Sequence, residues 1–83
     1  MTDVGRIEAD LRRTVAEILE MEPEAVTDET GAATVEAWDS LNHIRIVLAI
    51  EDAHGIRFPV ARIERMTSFR SLVDATLEAL AGR

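Results

Sequence analysis

Cysteine is absent from this 83-residue chain. No disulfide framework, thiolate metal site or catalytic thiol can therefore be built from it. No apolar run is long enough to span a membrane. The start, Met1-Thr2-Asp3-Val4-Gly5-Arg6, lacks the basic opening and apolar stretch of a secretion signal, so a cytoplasmic protein is the expectation. Basic residues are scarce, 9 against 16 acidic ones for a net charge of -7, which argues against nucleic acid as a partner because phosphate contact needs a basic face. At this length a single domain over residues 1–83 is expected, a monomer with a thin core and no deep enzyme cleft.

The negative charge is concentrated. Between Glu17 and Asp39 lie eight acidic residues and no basic one, so the rest of the chain sums to +1. A basic partner would be steered to that stretch.

Four helical segments can be read. Val4, Ile7, Leu11, Val15, Ile18 and Leu19 recur at helical spacing, which predicts a first helix from about Val4 to Glu20 with Asp3 or Thr2 as cap. Pro23 prevents its continuation. Residues 22–39 form a long connection whose Val26, Val35 and Trp38 would pin it to the helices, a length that usually serves function. A second helix is expected from Asp39 or Ser40 to His54, with Gly55 in a left-handed terminal position and Ile56 closing the cap. Pro59 keeps Phe58 extended, a short third helix covers about Val60 to Arg65, and Thr67 caps a fourth carrying Phe69, Leu72, Val73, Thr76, Leu77 and Leu80 on one face. Sustained period-two alternation is missing. The fold class is all-α, a small four-helix bundle with a long first loop and a short third helix.

On a helical wheel the second helix has two apolar arcs. His43, Ile46, Val47, Ile50 and His54 suit the core, whereas Leu41, Ile44 and Leu48, interleaved with Arg45, Glu51 and Asp52, form a surplus, partly exposed arc suited to docking. Asp39 is a good N-cap, accepting from Leu41 or Asn42. Ser40 follows it as an exposed hydroxyl at a helix start, with Leu41 anchoring the turn behind it. His43 and His54 are eleven residues apart on one helix, roughly 16 Å along its axis, too far to share a metal. Each reads as a packing residue, and Trp38 reads as pinning the loop to its own domain. His43 faces a different side of the helix from Ser40, which argues against a hydrolase pair.

Asp39-Ser40-Leu41, then Ile44, Ile46 to Asp52, and Gly55-Ile56-Arg57-Phe58-Pro59 together resemble an acyl carrier protein. The likeness runs from Ile7–Leu19 through Val26-Thr27 to the closing segment from Met66-Thr67-Ser68 to Leu80. The resemblance implies a carrier, not an enzyme. Ser40 would take 4′-phosphopantetheine from coenzyme A, transferred by a phosphopantetheinyl transferase, with Asp39 and Leu41 flanking the attachment. The arm's thiol would carry acyl groups as thioesters, a thiol that a chain without cysteine has to import. Leu41, Ile44 and Leu48 would meet acyl-loading and acyl-processing enzymes apolarly, and Arg45, Glu51 and Asp52 would meet them through charge.

Trp38 before the Asp, the Asn42, His43 and Arg45 start of the helix, and His54 in place of a bulky aromatic depart from the pattern of fatty-acid-synthesis carriers. They point to a specialised, polyketide-like or hybrid pathway with a short or polar cargo. A peptidyl or aminoacyl carrier is an alternative, but those resemble Gly-Gly-x-Ser at this point, where this chain has Ala37-Trp38-Asp39-Ser40. A second alternative is a cofactor-free helical adaptor that binds through the Leu41, Ile44 and Leu48 arc.

Overall fold

The computed structural model describes residues 3–82. Four helices follow one another: α1 (Val4–Leu19), α2 (Ser40–His54), α3 (Val60–Ile63) and α4 (Phe69–Ala81), with a single 3-10 turn at Pro23–Ala25. Helix α1 packs against both α2 and α4. None of the helices among the described residues is long and apolar enough to cross a membrane.

Helix α1 starts where the Asp3 carboxylate accepts the Arg6 N–H at 3.1 Å. Thr2, the other expected cap, lies outside the described residues. Leu11, Val15 and Leu19, each a turn apart, are buried together with Ala16. Val4 is exposed, so the expected stripe enters the core only from about Ile7 onward. The helix stops at Leu19, one residue short of expectation, because Glu20 adopts a left-handed conformation (φ 55°). Met21 then donates back to the Ala16 carbonyl at 2.9 Å.

The connection from 22 to 39 is irregular but well tied. Val26 and Trp38 are buried and Val35 is half-buried. Arg12 reaches across from α1, its Nε donating to the Val26 carbonyl at 3.3 Å while its guanidinium lies 5.0 Å from the Phe69 ring centre. The loop also runs alongside the start of α4. Gly31 and Ser68 form an isolated antiparallel bridge, and the Ala32 N–H donates to the Thr67 carbonyl at 2.9 Å.

The expected cap of α4 is corrected by the same contacts. Thr67 spends its carbonyl on the loop, and Ser68 caps instead: Ser68 and Ser71 form a reciprocal capping box. The first free N–H groups of α4 find loop carbonyls, Phe69 donating to Thr30 at 2.7 Å and Arg70 to Asp28 at 3.2 Å. Phe69, Leu72, Val73 and Thr76 are buried as expected, joined by Ala75, while Leu77 and Leu80 are half-buried at the margin.

Helix α3 is two residues shorter than expected. After Ile63 the chain turns so that Met66 enters the core with no exposed surface. Met66 belongs to the same core cluster as Ile46, Ile50, Phe69 and Leu72, none of which has any exposed surface. Burying each such side chain contributes about 1.5–3 kcal/mol. Among the described residues no strand is present beyond the single bridge.

Candidate functional site

Helix α2 begins abruptly. Asp39 is extended (φ -93°, ψ -177°) and its carboxylate accepts the Asn42 N–H at 2.9 Å. Asn42 returns the favour across the boundary, its side-chain amide donating to the Ala37 carbonyl at 2.8 Å. Trp38, only 3% exposed, donates its indole N–H to Nδ1 of His43 at 3.0 Å. The opposite nitrogen, Nε2, lies 2.8 Å from the Ile63 carbonyl at the end of α3. Loop, α2 and α3 are thus joined around one helical turn.

Ser40 is the first residue of that turn and is exposed. None of the described residues hydrogen-bonds its hydroxyl. The two His43 nitrogens are committed to Trp38 and Ile63, so His43 is no base for Ser40, in keeping with the different facing expected from the sequence.

Beside Ser40 runs a groove of about 450 Å³ lined by Ala32, Trp38, His43, Ile44, Ile63 and Thr67, with the carboxylates of Asp39 and Glu64. A larger depression of about 1060 Å³ lies elsewhere, around Phe58, Arg62 and Glu78, and Ser40 takes no part in it. The exposed hydroxyl thus stands beside a groove whose lining surface is mainly apolar. The N-terminus of a 15-residue helix also favours a phosphate group there.

The two arcs of α2 separate as their spacing suggests. Ile46, Val47 and Ile50 are buried and His43 and His54 half-buried. Leu41, Ile44 and Leu48 are 60%, 46% and 58% exposed. Leu41 therefore does not anchor the turn behind Ser40; Trp38 and Asn42 do, through His43 and Ala37. Arg45 and Asp52 are exposed beside the arc. Glu51 is different. It is half-buried, and its carboxylate accepts the Phe58 N–H at 2.8 Å, so it ties down the loop after α2 rather than standing free on the docking face.

Neither that tether nor the His43 clasp is legible in the sequence, since both depend on residues brought together by the turn after Gly55. The one signal is the nearness of Trp38 and His43, five residues apart across a helix start.

A family described as phosphopantetheine attachment site matches residues 9–76. Among solved structures, the chain is similar to the holo acyl carrier protein of Geobacter metallireducens. The TM-score is 0.79 at 24% identity, over 90% of this chain and 86% of that one.

Proposed function

The chain belongs to the phosphopantetheine attachment site family, and from that premise we infer that Ser40 is the residue that takes the 4′-phosphopantetheine arm and that the protein is an acyl carrier. The observation that carries the assignment is the Ser40 hydroxyl, exposed and unbonded, on a first turn whose Asn42 and His43 side chains are tied down. In the transfer, Ser40 Oγ forms the bond to the β-phosphorus of coenzyme A, the adenosine bisphosphate leaves, and the hydroxyl proton passes to a base of the transferase. The arm, once attached, supplies a thiol for thioesters. This chain's own part is to present the serine, offer an apolar groove beside it, and display a face to partner enzymes.

That face is Leu41, Ile44 and Leu48, with Arg45 and Asp52 at its side and the acidic stretch ending at Asp39 drawing in the basic transferase. Trp38 before Asp39 and His54 in place of a bulky aromatic support a carrier of a specialised, polyketide-like or hybrid pathway with a short or polar cargo. Ala37-Trp38 in place of paired glycines speaks for acyl rather than aminoacyl cargo. The deciding experiment is intact mass after incubation with coenzyme A and a promiscuous phosphopantetheinyl transferase. A gain of one phosphopantetheine in the parent and none in Ser40→Ala is expected. No gain in the parent, under conditions that modify a control carrier, would favour the adaptor that binds partners without a cofactor.

A further inference from the structure

His43 has two ring nitrogens and both are used. The Trp38 indole N–H can only donate, so Nδ1 of His43 accepts, at 3.0 Å. The ring's one proton then sits on Nε2, where it is donated to the Ile63 carbonyl at 2.8 Å. Only the neutral ring in this tautomer satisfies both contacts. A protonated ring carries hydrogens on both nitrogens; it keeps the bond to Ile63 but sets a second donor against the indole N–H.

The same ring spans three segments. It grips the acidic loop through Trp38, belongs to α2, and holds the end of α3 through Ile63, and each of these lines the groove beside Ser40. Ser40 lies inside the bracket, two residues after Trp38 and three before His43. The charged groups that share the groove are Asp39 from the head of α2 and Glu64 from the end of α3; the loop contributes only the uncharged Ala32 and Trp38.

Resting on the reading that Ser40 takes the arm, we propose that His43 is a positioning residue for that reaction: a neutral imidazole that clasps Trp38 and Ile63 and so fixes the groove beside Ser40. Removing the clasp therefore slows loading of this carrier while Ser40 itself stays exposed.

The test compares the parent with His43→Phe and His43→Gln, each loaded from coenzyme A by one transferase at one neutral pH. The ratio of kcat/KM for the parent over His43→Phe should be roughly tenfold, the size of one hydrogen bond. His43→Gln, with a donor and an acceptor, should load faster than His43→Phe. Independently of loading, nitrogen chemical shifts of the parent should show the Nε2–H tautomer, with a hydrogen-bonded Trp38 indole signal that His43→Phe lacks. An Nδ1–H tautomer, or equal loading of parent and His43→Phe, would overturn the proposal. A parent that is never loaded would overturn the carrier reading and this role with it, while the nitrogen shifts still report whether the clasp exists.

Discussion

Phe58 donates its backbone N–H to the Glu51 carboxylate, closing a seven-residue span across the end of α2. Between them Gly55 takes a left-handed conformation (φ 63°) that a side chain would strain, and Ile56 is buried. The tether sets the course of the chain into Pro59 and α3. Glu51→Ala should cost about 1–3 kcal/mol, because it leaves a half-buried N–H without its charged acceptor. Asp52→Ala, one residue on and exposed, should stay within about 0.5 kcal/mol. Urea unfolding of the two variants side by side checks this; equal effects would contradict the tether.

Gly31 is required by proximity. A Cβ built there would lie 2.1 Å from the Thr67 carbonyl oxygen, a backbone atom that cannot swing aside. Gly31→Ala should therefore push the loop off the start of α4 and destabilise the protein by about 1–3 kcal/mol. Chemical denaturation measures the loss. Slower transferase loading should accompany it, since the loop also delivers Trp38 to the groove.

Ser40→Ala should leave stability within about 0.5 kcal/mol of the parent, because the hydroxyl is exposed and makes no hydrogen bond to a described residue. Circular dichroism melting and intact mass on the same samples give both readouts, and only the mass gain should disappear.

Ile44→Glu and Leu48→Glu should fold, since both side chains are about half exposed. Each should lower transferase kcat/KM by roughly tenfold or more, the usual effect of placing a charge in an apolar contact. Unfolding of either variant would show that the arc belongs to the core.

Elements with strong local signals were legible in the sequence. Asp39 as cap, Gly55 as terminator and the Ile46, Val47 and Ile50 face all rest on neighbours within a turn or two, and each appears where the pattern puts it. Ser40 stood out for the same reason, as the residue after a cap and before an amphipathic helix. What sequence could not give are interactions between residues far apart in the chain. Thr67 looks as good a cap as Ser68 until the loop, bonded to the Thr67 carbonyl and the Phe69 N–H, sets the helix start at Phe69. Glu51 resembles any solvent-facing acid until Phe58 returns to it, and His43 passes for packing until Ile63 arrives twenty residues later. The early end of α3 goes with the burial of Met66, which packs into a core built from distant segments.

Trp38 is the sole tryptophan, and the chain has no tyrosine. Near-ultraviolet emission therefore comes almost entirely from one buried indole, bonded to His43 at the groove beside Ser40. The molecule carries a built-in fluorophore at its working end, so that attachment and docking can each be followed in light without a label.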